Sequence, residues 1–481
     1  MLDRRKSIID QLRIITFASV VKKDMLKNTF DQFQRIRDKG SFTRNVSITS
    51  TWNVLGILAQ FTLSPIITRL YTPDQYGGFA LFNTIVANVV LISSLRYSEA
   101  IVISDGPERR NNVVSLAFVL VLITTTLSAA AVVFFEDAIQ RFIGVVWPVS
   151  FIYIIPVAIF FGGTLEILVT INAWRRKFFN NGLAGFLTNL GSRSFTIFYG
   201  MVIQAKVIGL VSGDLVGKAI GITSVLASFK GLVGSLITFF KGSTLNGMRS
   251  AAKLYSQFPL YTLPTNLLIL FSGHLPIYFF QLQFTTGAVG SYALSSSLLE
   301  MINRLIPYSL AGVFFPKAMD LKNVSNEHLM EKVYKLYWAV FFLSIGIFTF
   351  LCLFSKYIFP WVFGSSWATA GVYMGILSLY YSFHFIAISI ADVYKVINKQ
   401  RFLLVATIIS VSLKLLVIAL AIYFKIDVID TLFWFCVGSS IGTIIQILGI
   451  FVIFRFKVSR VALSLLAMMT LFVLLTYLVN F

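Results

Sequence analysis

Phe402 to Phe424 reads FLLVATIISVSLKLLVIALAIYF: twenty-three residues with one charge, Lys414, and neither glycine nor proline. As a helix rising 1.5 Å per residue it covers the ~30 Å of a bilayer's hydrocarbon core. With no water there to satisfy backbone amides, a helix is the form such a run must take. Twelve more apolar runs of similar length occur, at 46–68, 77–95, 113–135, 149–172, 184–205, 207–229, 258–280, 288–315, 333–354, 368–390, 432–454 and 461–481. The expected fold class is therefore an all-α polytopic membrane protein with thirteen spans.

Composition supports this. Of 481 residues 57% are hydrophobic and 12% charged, and the mean hydropathy is +0.82, which excludes a soluble enzyme. Of the 40 Lys and Arg residues, thirty lie in the N-terminal segment and in or beside every second gap between runs. Only Arg69, Arg141, Lys206, Lys356 and Lys425 lie in the opposite gaps. By the positive-inside rule the N-terminus is cytoplasmic, and an odd number of spans puts Phe481 outside. The net charge of +20 is thus a topology signal and a match for anionic lipid, not for nucleic acid. Cys352 and Cys436 stand singly in apolar runs, so neither a disulfide framework nor a zinc site is expected. The first apolar stretch, Ile14 to Val21, is broken by polar residues and flanked by charge, unlike a cleavable signal peptide.

The expected organisation has five parts: a basic cytoplasmic segment 1–45, a six-helix lobe 46–229, an interfacial connector 230–257, a second six-helix lobe 258–454 and an extra span in 455–481. In the first segment Ile8, Ile9, Leu12, Ile15, Phe17 and Val21 suit either a surface helix or a solvated tail. The lobes look duplicated. YGGFAL at 76–81 matches VGSYAL at 289–294, and Gly144-Val-Val-Trp147 matches Gly364-Ser-Ser-Trp367, each pair six runs apart. An even number of spans per repeat gives a parallel repeat about an axis along the membrane normal. Gaps on the outer side are short, which leaves no room for an external catalytic domain.

A charge inside a bilayer costs on the order of 2.5–3.5 kcal/mol, so those retained need a reason. Asp214 with Lys218 and Glu300 with Arg304 are spaced one helical turn apart, while Arg96 and Glu99 stand three apart. Glu166, Arg193, Asp392 and Lys414 have no such neighbour. Run ends place Lys218, Glu300 and Lys414 near mid-membrane, and Arg193, Arg304 and Glu166 nearer the cytoplasm. A hydrated cavity lined by cations would suit a phosphate-bearing ligand, with Glu166, Asp214 or Glu300 taking a coupling ion. The alternative is that local pairs neutralise each other and hold helices together. His274, His328 and His384 do not cluster, and a structural role suits them better than a proton relay. Gly213-Asp-Leu-Val-Gly217-Lys218-Ala219 fails as a phosphate loop, since Ser212 replaces its first glycine and Ala219 its hydroxyl residue. No catalytic residue, metal site or cofactor is expected.

Thr68-Arg69-Leu70-Tyr71-Thr72-Pro73-Asp74-Gln75-Tyr76-Gly77, with Leu95-Arg96-Tyr97-Ser98-Glu99-Ala100-Ile101, resembles the signature region of the Wzx-type oligosaccharide flippases. Phe363-Gly364-Ser-Ser-Trp367 is similar to a feature of the same family. These belong to the polysaccharide branch of the multidrug/oligosaccharidyl-lipid/polysaccharide exporter superfamily. The resemblance implies a MATE-like fold of two six-helix bundles around a cationic cavity. It also implies flipping of undecaprenyl-pyrophosphate-linked oligosaccharide, such as O-antigen units, across the bacterial inner membrane by alternating access. Membrane lipids, a polysaccharide polymerase and a chain-length regulator are the implied partners. By motif position Arg69, Arg96 and Glu99 matter. Arg193, Lys218, Arg304 and Lys414 are cavity candidates on their own chemistry. A multidrug or cation antiporter on the same scaffold would want an acidic cavity, a lipid II flippase is not separable by spacing, and a membrane glycosyltransferase, ligase or polymerase would need an outer catalytic loop.

Overall fold

A computed structural model describes residues 42–143, 152–227 and 239–480, and among these all regular structure is helical. Thirteen long helices follow the thirteen runs. The first six are α1 (Phe42–Leu70), α2 (Pro73–Ser93), α3 (Pro107–Phe134), α4 (Ile154–Trp174), α5 (Phe178–Tyr199) and α6 (Val207–Ala227). The rest are α7 (Leu263–Gln283), α8 (Thr286–Leu305), α9 (Asn326–Phe363), α10 (Ala368–Ala391), α11 (Gln400–Phe424), α12 (Val428–Ile453) and α13 (Val458–Asn480). The segments 8–21 and Gly144–Trp147 lie outside the described residues.

Ten of the thirteen are long and apolar enough to cross a membrane, and α1 contributes a shorter apolar stretch, Val54–Leu70. Against the expectation of thirteen spans, α1, α5 and α8 fall short of the ten in hydropathy or charge. Asn180, Asn181, Asn189 and Arg193 dilute α5, and Ser295, Ser296, Ser297, Glu300 and Arg304 dilute α8. A second correction concerns run 288–315. It is two helices, because Pro307 lacks an N–H and crowds the residue before it. The chain turns at Ile306 (φ −106°, ψ −66°) and restarts as Pro307–Val324. In the connector, Leu245–Leu254 is a short helix whose N-cap Thr244 accepts from the Gly247 amide at 3.0 Å.

Helices α1 to α6 pack among themselves, with α1 along α5, α5 along α6, and α4 against α2, α3 and α6. Among the later helices α10 is central, covered by α8, α9, α12 and α13. Its buried Trp367-proximal end and the buried Phe383 and Phe385 anchor the larger core. The thirteenth helix docks on α9 through Tyr337 Oη and Ser464 Oγ, 2.7 Å apart. The two groups meet chiefly through α2 and α8, with α2 also on α7 and α1 on α8 and α9.

The α2–α8 contact carries the repeat. Thr72 caps α2 by accepting from the Gln75 amide, and Gln75 answers with a bond from the Thr72 amide, a capping box with Pro73 at the first helical position. Thr285, at a constant offset of 213 from Thr72, caps α8 by accepting from the Ala288 amide at 3.2 Å, without the reciprocal side-chain bond. At that offset Gly77 matches Gly290, and the two backbones cross there. A methyl on Gly77 would collide with the Thr286 carbonyl, and one on Gly290 with the Pro73 carbonyl. Residues 73 and 77 thus face 286 and 290 reciprocally, as a two-fold requires. The relation lapses at the edge, since α1 lies along α5 whereas α7 leans on α2 and meets α11 at few positions.

Candidate functional site

Trp52, Gly56, Gln60, Ser64 and Thr68 recur every fourth residue and so form one ridge that winds slowly around α1. The first three, with Ile57, line one wall of a cavity of about 350 Å³. Gly185, Phe186 and Asn189 of α5 form the opposite wall, and Arg304 and Tyr308 close it from the other helix group. Of the four helices that line it, α1, α5 and α8 are those diluted by polar residues, which accounts for their composition: they face each other across polar space. Arg304 supplies the cation here. Its side chain is 61% exposed, and Nε stands 3.9 Å from Glu300 Oε1, the limit of an ion pair.

A second cavity, about 360 Å³, sits on the two-fold. From α2 come Phe79, Ala80, Asn83, Thr84 and Ala87; from α8 come Tyr292, Ala293, Ser296, Ser297 and Glu300. Each member of the second set is 213 after one of the first. Glu300, the counterpart of Ala87, is where the symmetry breaks and where a carboxylate enters. His274 of α7 lines the same cavity, held by Asn88 Nδ2 at 3.2 Å, and Asn88 also donates to Tyr278 Oη at 2.7 Å.

One end of the inter-group space is shut. Trp367, fully buried, donates from Nε1 to the Thr68 carbonyl at 2.7 Å, and Arg69 Nη2 donates to the Trp361 carbonyl at 3.0 Å. Tyr76 stands edge-on to Trp367, centroids 5.5 Å apart. With the Gly77–Gly290 crossing these bonds form a latch. Arg69 therefore sits at the closed end.

The remaining charges are distributed as follows. Lys218 and Asp214 close on each other within α6. Arg96 bonds Glu99 and, at 3.0 Å, Glu166 of α4, which also accepts from Ser98 Oγ at 2.9 Å. Glu166 is thus not solitary; its partner lies seventy residues away in sequence, brought near where Leu95 and Arg96 turn left-handed (φ 48° and 62°). Lys414 is 9% exposed and lines neither cavity. Its ammonium stands over the rings of Tyr380 and Phe435, 5.3 and 5.7 Å from their centroids, and His384 stacks on Tyr380. The lysine expected in a cavity is thus ringed by aromatic side chains in this structure. Arg193 is also repositioned. It lies six residues from the C-terminal end of α5, level with Ser64, about 9 Å from the latched end. The apolar run begins at 184, whereas α5 starts at Phe178 by absorbing Asn180 and Asn181.

A family model described as "Polysaccharide biosynthesis protein" matches residues 66–372, more than half of the chain. The chain belongs to that family. The match spans Thr68–Gly77, Leu95–Ile101 and Phe363–Trp367, so in this polysaccharide-biosynthesis protein the latch and the Arg96 turn both lie within the family region. No curated protein sequence matches it. Solved structures do. "Lipid II flippase MurJ, inward closed conformation" superposes with a TM-score of 0.64 at 16% identity, covering 91% of this chain and 96% of that one. An inward-facing multidrug resistance MATE family transporter of the MOP superfamily gives 0.56 at 12% identity, covering 86% and 95%. An outward-facing conformation gives 0.50 at 14%, covering 87% and 96%. The fold is that of MATE and MurJ transporters. Sequence reasoning missed this family member's Trp52, Gln60, Asn189, Asn83 and Thr84; the four-residue stripe on α1 was the available signal. Among the described residues no three His, Cys, Asp or Glu side chains converge as a metal site.

Proposed function

We propose that this protein flips a polyprenyl-diphosphate-linked glycan across the bacterial inner membrane by alternating access. The observation that carries the reading is the polar cavity between the two helix groups, where Arg304 faces Trp52, Gln60 and Asn189, with the far end latched. A largely exposed guanidinium that meets its neighbouring acid, Glu300, only at 3.9 Å keeps donors for bidentate phosphate binding. The aromatic face and the amides suit sugar. The lobes are 46–229 and 258–454, joined by 230–257, with residues 455–481 as an appended span. The basic gaps put the N-terminus and the Arg304 end in the cytoplasm and the latch outside. Glu300, the carboxylate on the two-fold, is the coupling group: its contact to Arg304 is loose at 3.9 Å, whereas Asp214 and Glu166 are closely engaged by Lys218 and Arg96. The loose α7–α11 seam leaves room for an isoprenoid tail to stay in lipid.

The favoured cargo is an oligosaccharide repeat unit, in keeping with the polysaccharide-biosynthesis family. Lipid II is the second reading, since the fold likeness to the lipid II flippase exceeds that to the multidrug transporters. The test is proteoliposome flipping of undecaprenyl-diphosphate oligosaccharide and of lipid II side by side, scored by sugar accessibility to an added oxidase. Movement of the oligosaccharide lipid supports the first reading and movement of lipid II alone the second. Efflux of cationic dye with neither lipid moved would replace both with a drug antiporter.

A further inference from the structure

Arg193 has one hydrogen bond among the described residues, a 3.4 Å contact to Ser64 Oγ, and no carboxylate within ion-pair distance. A guanidinium carries five donors, so most of this one's capacity is unspent at a depth where an unpaired cation is expensive. Its position explains why it is kept. Gln60 and Asn189 line the Arg304 cavity; one helical turn further along the same two helices stand Ser64 and Arg193. The next turn of α1 brings Thr68, whose carbonyl receives the Trp367 indole. Tyr76, which stands against Trp367, lies within electrostatic range of Arg193. The guanidinium is therefore one turn beyond the cavity and one turn short of the latch.

We propose that Arg193, with Ser64, is a second diphosphate site on the far side of the cavity, covered while the latch is closed and uncovered as it opens. The anion moves from Arg304 to Arg193 along the α1–α5 seam, so the headgroup meets a cation at each stage of the crossing. The inference rests on the flippase reading. The shared ligand chemistry is a diphosphate, carried by an isoprenoid or free in solution.

The test is binding of farnesyl diphosphate and of inorganic pyrophosphate to the full chain in nanodiscs, in the parent and in a Trp367→Phe background that removes the indole donor. With the latch intact, Arg304→Gln should weaken farnesyl diphosphate binding at least tenfold and Arg193→Gln no more than twofold. With the latch released, Arg193→Gln should cost at least tenfold, and Arg193→Lys, which keeps the charge with fewer donors, should recover part of it. Unchanged affinity in Arg193→Gln and Arg193→Lys in both backgrounds, with Arg304→Gln still impaired, overturns the second site and leaves the flippase reading standing. Binding of inorganic pyrophosphate alone overturns the lipid diphosphate at both positions. A parent chain that binds neither probe and flips no lipid-linked glycan sinks the flippase reading itself.

Discussion

Lys414 shows how far a single residue can be read from sequence. A lone charge in twenty-three apolar residues announces that something must stabilise it, and the absence of an acid within one turn was legible. The stabilising groups were not, because Tyr380 lies on α10 and Phe435 on α12, and ring faces leave no mark in the pattern around Lys414. Two cation–π contacts contribute about 0.5–2 kcal/mol each, against a desolvation cost of several kcal/mol for an ammonium. Replacing the charge with an apolar chain of similar length should thus do little harm to the fold. Lys414→Met should melt in detergent no lower than the parent, whereas Lys414→Ala, which empties the same space, should lose ~2 kcal/mol. A Lys414→Met protein that is much less stable would show that the cage requires the charge. Glu166 makes the same point in reverse. The acid was visible, but its bond to Arg96 depends on two consecutive left-handed residues that no periodicity encodes.

At the scale of the helix, existence was easy to read and boundaries were not. Apolar runs announce lipid contact, so the ten strongly apolar helices stood out. The helices that border the cavity are diluted by the polar residues that make it useful, and α5 was started six residues late, which misplaced Arg193. The α2–α8 crossing was legible as a repeat of YGGFAL and VGSYAL, though not as a contact of Gly77 with Gly290. Because each glycine faces a carbonyl, a methyl group there forces the helices apart at a cost of about 1–3 kcal/mol. At 1.4 kcal/mol per factor of ten, that cost is enough to shift the balance toward the unlatched state. Gly290→Ala should therefore speed labelling of an Asn83→Cys reporter by a membrane-impermeant maleimide, applied from the latched side, by roughly fivefold or more. Gly77→Ala should act alike, the contact being reciprocal. Unchanged labelling with unchanged flipping would mean that the crossing is not part of the gate.

For the molecule as a whole, the sidedness of transport follows from the distribution of basic residues together with the position of the latch. Arg109, Arg110, Arg175, Arg176, Lys177, Lys395, Lys399 and Arg401 cluster at the ends of helices remote from Trp367, while Lys425 is at the latched end. Both native thiols, Cys352 and Cys436, are buried, so single reporter cysteines can be introduced without removing them. In intact cells an impermeant maleimide should label Lys425→Cys and Ser366→Cys within minutes, and label Lys399→Cys and Arg176→Cys only after permeabilisation. That pattern puts the latch outside and the Arg304 cavity on the side where lipid-linked glycans are assembled, as loading from the cytoplasm requires. The reverse pattern would turn the cavity outward, and a chain loaded from that face could not export a glycan made inside. The basic gaps fix orientation during insertion, whereas the latch fixes which face is shut in this conformation. The two are independent constraints, and their agreement on one direction is what this labelling measures.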